Sequence, residues 1–187
     1  MDNKDIAFHY VCTHDEAGEL IGKQTQFWVC NCGCRDNRGG RCRRSRMDVC
    51  LMFKNDIGFS VSGLRSLSGN EVNELLKEAA EKHLVSRPFR NDRDRTTTEG
   101  ICFCCDDCCE YFANPDERCD KGAYVESTDS GSCNHCGTCV EVCYFNARRF
   151  NDGELKIARS NCYGCGLCAD VCPDDNISMI KVDQSVI

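Results

Sequence analysis

The sequence predicts an α+β protein with a cysteine-rich N-terminal region followed by a C-terminal domain built on an internal repeat. Twenty of the 187 residues are cysteines, and segments 133–143 and 162–172 repeat one another. Only residues 68–85 carry a clear helical pattern, and the other regular segments favour strands. The looser stretch KGAYVESTDSGS predicts a domain boundary near residue 128, which divides the chain into regions 1–127 and 128–187.

The first predicted element is a β-hairpin over residues 5–30. Alternating side chains at Ile6, Phe8, Tyr10 and Cys12 favour a strand with one buried face. The segment HDEAGE then predicts the turn, and QTQFWVC is rich in residues that favour strands.

The next predicted element is an amphipathic helix in SGNEVNELLKEAAEKHLV. Ser68 and Glu71 have the spacing of a capping box. The positions predicted to share its apolar face are Val72, Leu75, Leu76, Ala79 and His83. The polar stretch SRPFRNDRDRTTTEG, residues 86–100, predicts an exposed loop or linker.

The state of the thiols depends on the compartment. The N-terminal residues MDNKDIAFHYVCTHDEAGEL contain no apolar run of signal-peptide length, and no later segment predicts a membrane span. We therefore expect a cytoplasmic protein. Thiols in a reducing cytoplasm are kept free or bind metals, so the pattern favours metal coordination over disulfides.

The repeated segments CNHCGTCVEVC and CYGCGLCADVC are identical at six of eleven positions and both read C-x2-C-x2-C-x3-C. Three cysteines at two-residue gaps wrap three corners of one 4Fe-4S cubane, whereas zinc sites use C-x2-C pairs separated by a longer loop. In this arrangement the fourth cysteine of each half binds the other cluster. Cluster I is thus predicted at Cys133, Cys136, Cys139 and Cys172, and cluster II at Cys162, Cys165, Cys168 and Cys143.

These motifs resemble the bacterial two-cluster 4Fe-4S ferredoxin family over residues 128–183. The resemblance implies a pseudo-twofold β-α-β fold with short helices that follow or include Cys143 and Cys172. Asn151, Asp152 and Gly153 predict the turn of a hairpin between the two halves. Tyr144 stands where the family has proline, which restores a backbone N–H and predicts a different cluster environment.

Twelve cysteines lie outside these motifs, and five of them fall in ICFCCDDCC, residues 101–109. Neighbouring side chains diverge, so these five cannot converge on one cluster, and we expect the segment to be shared between sites. A third cluster is predicted from Cys42 and Cys50 with one of Cys32 or Cys34 and one cysteine of this segment. A weaker fourth centre combines Cys30, Cys104 or Cys105, Cys108 or Cys109, and Cys119. The alternatives are zinc, or simply buried thiols, which we favour for Cys12.

The predicted N-terminal metal ligands are thus drawn from Cys30, Cys32, Cys34, Cys42, Cys50, Cys102, Cys104, Cys105, Cys108, Cys109 and Cys119. They form one or two further 4Fe-4S clusters or zinc sites. The pattern also resembles a group of anaerobe iron-sulfur proteins in which C-x-C-R, a helix and I-C-N-C-C-x-C-C-C precede a two-cluster ferredoxin. Phe103 and Asp107 depart from that block.

The segment RDNRGGRCRRSR, residues 35–46, carries six arginines against one aspartate. The chain has a net charge of -7 and no nucleic-acid-binding motif, so we expect no nucleic-acid partner. Arginines beside thiolates instead favour compensation of cluster charge or docking of an acidic partner, and a solvated loop is the alternative.

The sequence contains no Ser-His-Asp, H-E-x-x-H, P-loop or Rossmann pattern, and cysteine saturates the predicted ferredoxin clusters. We therefore predict a multi-cluster electron carrier of an anaerobe that serves a reductase, dehydrogenase or cofactor-activating partner. One alternative is an iron-sulfur enzyme or subunit whose N-terminal centre binds substrate, which a weak similarity to cysteine-pair domains with non-cubane clusters also suggests. The other is a ferredoxin with a structural zinc docking module.

Overall fold

The computed structural model describes residues 5–56, 60–114 and 116–182. Helices and strands are mixed along the chain. The strands are β1 (His9–Tyr10), β2 (Phe27–Cys30), β3 (Cys50–Met52), β4 (Arg65–Leu67), β5 (Val85–Arg90), β6 (Thr98–Cys104), β7 (Cys119–Asp120), β8 (Tyr124–Thr128), β9 (Arg148–Asn151), β10 (Glu154–Ile157) and β11 (Ile177–Lys181). The helices are α1 (His14–Gly22), α2 (Gly33–Asn37), α3 (Gly69–Glu81), α4 (Glu110–Ala113), α5 (Thr138–Glu141) and α6 (Leu167–Asp170), with a 3₁₀ turn at Arg159–Asn161.

The N-terminal region is organised around a seven-stranded sheet in the order β4-β2-β3-β6-β5-β1-β7. Its neighbouring strands are antiparallel except β1 and β7, which run parallel. One face carries Val29, Leu51 and Ile101 on three adjacent strands, and all three are fully buried. The apolar sides of α1 and α3 belong to the same core cluster, so burial of this face holds the helices to the sheet.

The hairpin predicted over residues 5–30 is wrong. Its turn segment forms α1, which begins with a capping box between Thr13 and Glu16, the signature that marks α3 at Ser68 and Glu71. The two strands of the predicted hairpin, β1 and β2, are separated by α1 and do not pair with each other. Instead β1 pairs with β5 and β7, and β2 pairs with β3 and β4. The capping energy of a Thr-x-x-Glu start outweighed the turn tendency of the polar residues.

The loop predicted over residues 86–100 is also wrong, because β5 and the start of β6 occupy most of it. Ser86, Arg87 and Phe89 are buried in the sheet, and only residues 91–97 connect the two strands. The predicted helix is confirmed as α3, and Val72, Leu75 and Ala79 are buried. His83 lies beyond its end, in a left-handed conformation with φ 50°.

The C-terminal region contains two small antiparallel sheets, β8 with β11 and β9 with β10. The predicted hairpin is confirmed: Asp152 and Gly153 form its two-residue turn with φ of 52° and 79°. The short helices α5 and α6 precede Cys143 and Cys172 instead of following or including them, which corrects the prediction. Since β8 pairs with β11, the segment just before residue 128 belongs to the C-terminal sheet.

Equivalent loops in the two halves of the repeat share a backbone conformation. Gly137 and Gly166 begin α5 and α6 with φ of 88° and 83°. His135 and Gly164, also equivalent, have φ of 56° and 78°. A Cβ at Gly164 would lie 2.2 Å from the carbonyl oxygen of Tyr124, so this position requires glycine. Within the described ranges, no helix has the length and apolar character needed to cross a bilayer.

Candidate metal centres

The first cavity lies between the two halves of the C-terminal repeat. Its lining residues surround about 380 Å³ of atom-free space, part of it open to solvent. The cysteines that line it are Cys133, Cys136, Cys139 and Cys172. Three come from the first half of the repeat and the last comes from the second. His135 also lines this cavity, and its Nδ1 accepts a hydrogen bond from the Leu155 N–H at 3.3 Å.

The second cavity has the complementary composition, and its lining residues surround about 330 Å³ of atom-free space, part of it open to solvent. The cysteines that line it are Cys143, Cys162, Cys165 and Cys168. Burial raises the pKa of Cys168 to about 12 and also raises that of Cys143. Four sulfur donors around one space fit the requirements of a 4Fe-4S cluster, which binds deprotonated cysteines.

A buried ion pair lies between these two cavities. Arg148 is 2% exposed, and it donates hydrogen bonds to the Cys139 sulfur at 3.4 Å and to Glu126 at 2.5 Å. Glu126 is 1% exposed and also accepts a hydrogen bond from Arg159 at 2.9 Å. Both members of the pair line the second cavity, so their charges act on both groups of cysteines.

A third, larger cavity is built on the seven-stranded sheet. Cys30 pairs with Cys50, Cys50 pairs with Cys102, and Cys102 pairs with Arg87, so one row crosses four adjacent strands. Directly paired residues project to the same face of a sheet. This face therefore presents three sulfurs and a guanidinium, opposite the face that carries Val29, Leu51 and Ile101.

Further cysteines from α2, α4 and the end of β6 complete what we call the seven-thiol cavity. Its cysteines are Cys30, Cys32, Cys34, Cys50, Cys102, Cys104 and Cys109. The Cys50 and Cys102 sulfurs are 3.6 Å apart. Hydrogen bonding from Cys50, supported by His9, lowers the pKa of Cys102 to about 5, and the hydrogen bonds that Cys34 receives from Cys109 and Cys32 lower its pKa to about 2. The same hydrogen bonds raise the pKa values of Cys50 and Cys109, so the cavity stabilises thiolates at some of its cysteines and thiols at others.

Arg87 is the positive group of the seven-thiol cavity. It is 2% exposed and donates hydrogen bonds to the sulfurs of Cys109 at 2.9 Å and Cys104 at 3.7 Å. Its remaining nitrogens, Nε and Nη2, are buried and have no protein partner among the described residues. Arg87 was not predicted as a site residue because residues 86–100 were predicted to form a loop, and the segment has no alternating pattern that would have indicated a strand.

A separate group, the three-thiol group, consists of Cys42, Cys105 and Cys108. Their sulfurs all lie within 4.8 Å of one another, with 3.6 Å between Cys42 and Cys105 and 3.4 Å between Cys105 and Cys108. Burial raises the pKa of Cys105. Burial also acts to raise that of Cys42, but the backbone amides of Arg44 and Ser45 outweigh it and lower the pKa.

The arginine-rich segment encloses the three-thiol group. Arg35 is fully buried, and its Nε donates to the Cys108 sulfur at 3.2 Å. Arg44 forms an ion pair with Asp106 at 2.7 Å, and the Arg43 N–H donates to Asp107 at 2.9 Å. Charge compensation, one of the two predicted roles of the segment, agrees with these contacts. The pairing with the two aspartates was not anticipated.

The structure divides the cysteines of ICFCCDDCC between two groups, as the divergence of neighbouring side chains predicted. It does not place Cys42 and Cys50 together, as the predicted third cluster required, because Cys50 lies on β3 inside the sheet. Cys119, assigned to a fourth centre, lines neither group; its sulfur donates to the Asp120 carbonyl at 3.6 Å. Cys12 is a buried thiol of the core, and burial raises its pKa.

Aromatic side chains fill the space between the seven-thiol cavity and the second cavity. Tyr111 lines the former, stacks below the Arg87 guanidinium at 4.7 Å, and contacts Phe145 and Tyr163 at ring distances of 6.0 Å. Phe145 and Tyr163 line the second cavity and are stacked at 4.5 Å. We call Tyr111, Phe145 and Tyr163 the aromatic bridge.

Tyr144, the residue in place of the family's proline, is also buried at this junction. Its N–H donates to the Val142 carbonyl at 3.2 Å, so the restored donor is used within the backbone. Arg44 lies 5.0 Å from the centre of its ring, and the pKa of its phenol is raised to about 12 by burial.

Comparison with known proteins gives one match. The family model described as a 4Fe-4S dicluster domain matches residues 132–176, which is 45 of the 187 residues. No curated protein and no solved structure matches the chain significantly. The match supports an iron-sulfur domain similar to ferredoxins in the C-terminal region, and together with the cysteine content it indicates an iron-sulfur electron-transfer protein.

Proposed function

We propose that this protein relays single electrons through two 4Fe-4S clusters in its C-terminal region and a further iron-sulfur centre in the seven-thiol cavity. The observation that carries the proposal is the composition of the first and second cavities. Each is lined by four cysteines, three from one half of the repeat and one from the other. We assign these two sets of four as the ligands of clusters I and II.

The surroundings of the cysteines support electron transfer over substrate chemistry in the C-terminal region. A 4Fe-4S cluster with four cysteine ligands gains and loses one electron and has no vacant position for a substrate. Cys139 and Cys168 are buried, and Arg148 donates to the Cys139 sulfur. Cys136 is exposed, so the first site is open to solvent on one side, while Arg148 compensates negative charge at Cys139.

The repeat supports the pseudo-twofold ferredoxin arrangement, and the pairing of β8 with β11 favours a domain division before Tyr124 over one at residue 128. Gly137 and Gly166 have matching left-handed conformations ahead of matching short helices. We further propose a redox partner such as a reductase, dehydrogenase or cofactor-activating enzyme of anaerobic cytoplasmic metabolism. The absence of a catalytic motif in the sequence supports a carrier.

The aromatic bridge supports an internal route between the two regions. Tyr111 lines the seven-thiol cavity while Phe145 and Tyr163 line the second cavity, so the contacts of the aromatic bridge join the linings of the two sites. Contact between the linings favours direct electron exchange between centres. Electrons would thus pass between the N-terminal centre and cluster I by way of cluster II.

A second candidate is an iron-sulfur enzyme or subunit that binds substrate at the seven-thiol cavity. Its atom-free space, part of which is open to solvent, is about 1330 Å³, compared with about 380 and 330 Å³ measured in the same way for the other two cavities. It also contains the unpartnered Nε and Nη2 of Arg87. A substrate-binding centre would therefore have both room and a positive group for an anionic ligand.

Anaerobic reductive titration tests the carrier function. We expect the purified protein to take up at least about two electrons per chain, one for each C-terminal cluster, and to release them to a dye acceptor without loss of iron. The EPR spectra should not change when cyanide or a small thiol is added. Absence of reversible electron uptake would exclude the carrier, and a ligand-dependent spectrum would favour the enzyme.

A further inference from the structure

We propose that Cys42, Cys105 and Cys108 bind one zinc ion in a tetrahedral site whose fourth position is open to solvent. This proposal goes beyond the electron-transfer function and does not depend on it. The site is separate from the seven-thiol cavity, although ICFCCDDCC contributes cysteines to both.

The distances between the sulfurs match a single metal ion. Zinc binds thiolates at about 2.3 Å, so two thiolates of one tetrahedral site are about 3.8 Å apart. The observed separations are 3.6 Å for Cys42 and Cys105 and 3.4 Å for Cys105 and Cys108. One ion at the centre of the group would need only a small expansion to reach all three sulfurs.

The first and second cavities can be compared with the three-thiol group, because their cysteines have the spacing that a cubane requires. Cysteines that bind a cubane each bond a different iron and are held apart by the cluster. In the described chain, no sulfur-sulfur contact of hydrogen-bonding length joins the four cysteines of the first or the second cavity, which instead surround empty space. The three-thiol group has its sulfurs in contact and leaves no such space. The seven-thiol cavity also has one sulfur contact, 3.6 Å between Cys50 and Cys102, but its cysteines surround a large space beside that contact.

Backbone and side-chain donors hold these sulfurs in place. The backbone amides of Arg44 and Ser45 reach the Cys42 sulfur, and the amide of Asp107 reaches that of Cys105. The Arg35 Nε donates to Cys108 at 3.2 Å. Zinc with three thiolates has a net charge of -1, which the buried Arg35 neutralises.

The fourth ligand has to come from outside the group. Among the described residues, no further histidine, cysteine, aspartate or glutamate joins the three sulfurs. The nearby carboxylates of Asp106 and Asp107 are held by Arg44 and by the N–H of Arg43. Cys42 is partly exposed, so water can complete the tetrahedron, as in zinc sites with three protein ligands.

X-ray absorption at the zinc edge tests the site in the unmodified, anaerobically purified protein. We expect about one zinc per chain, with three sulfur ligands near 2.3 Å and one oxygen or nitrogen ligand. A zinc ion with four sulfur ligands, or protein that contains no zinc, would overturn the proposal. This measurement does not depend on the stability of any variant.

Metal analysis of Cys42→Ser and the matched control Cys119→Ser locates the ion. We expect Cys42→Ser to lose the zinc and keep its iron and labile sulfide, while Cys119→Ser keeps all three. Loss of iron and sulfide from Cys42→Ser, with zinc unchanged, would overturn the proposal. That result would not contradict the electron-transfer function, since it would place an iron-sulfur cluster at Cys42. If Cys42→Ser does not accumulate, the absorption experiment on the unmodified protein decides.

Discussion

Replacing Cys143 with alanine is expected to remove the cluster of the second cavity and to leave that of the first cavity in place. Cys143 follows the first three cysteines of its own half, yet it lines the cavity of Cys162, Cys165 and Cys168. Removing one of four ligands exposes an iron to solvent and destabilises the cluster. We expect a loss of about four irons and four sulfides per chain, measured chemically and by EPR.

Cys172→Ala is the matched variant and should have the reverse effect. Cys172 lines the first cavity with Cys133, Cys136 and Cys139. Its loss should remove the first-cavity EPR signal and keep the signal that Cys143→Ala removes. If each variant instead lost the cluster of its own half of the repeat, the exchange of fourth ligands would be wrong.

Glu126 and Arg148 form a buried ion pair, and neutralising one or the other is expected to shift the reduction potentials of the clusters in opposite directions. Reduction adds negative charge, which the Arg148 guanidinium favours and the Glu126 carboxylate opposes. Glu126→Gln should therefore raise the reduction potential, and Arg148→Met should lower it. Each shift should be on the order of 60 mV, which corresponds to about 1.4 kcal/mol for one electron. Potentiometric EPR titration measures both.

The exposed neighbour Arg149 provides the control for this pair. Arg149→Gln removes the same charge as Arg148→Met but at a solvent-exposed position of β9, where screening weakens it. We expect its potentials to stay near those of the unmodified protein. Arg148→Met leaves Glu126 with Arg159 as a partner, at 2.9 Å, which limits the loss of stability. Shifts of the same sign in Glu126→Gln and Arg148→Met would contradict the electrostatic explanation.

The C-terminal cysteines could be grouped from the sequence because their spacing follows from the geometry of a cluster. The two C-terminal cavities are lined by the two sets of four that the spacing predicted, although ligation itself stays a prediction. The turn at Asp152 and Gly153 was equally predictable, since only a few residue types adopt its backbone conformation. In both cases a local constraint determines the residues.

The N-terminal groups could not be derived in the same way because their members meet through strand register. Cys30, Cys50 and Cys102 become neighbours only when β2, β3 and β6 pair. The same pairing buries Arg87 beside Cys102. No spacing along the chain encodes that contact. The start of α1 could have been found, since Thr13 and Glu16 form a capping box.

Metal and sulfide analysis of anaerobically purified protein tests the central claim most directly. Clusters in the first cavity, the second cavity and the seven-thiol cavity, together with zinc at the three-thiol group, predict about twelve irons, about twelve labile sulfides and about one zinc per chain. Folded, colourless protein with no iron would contradict the electron-transfer function. About eight irons would restrict that function to the C-terminal region and contradict a cluster in the seven-thiol cavity.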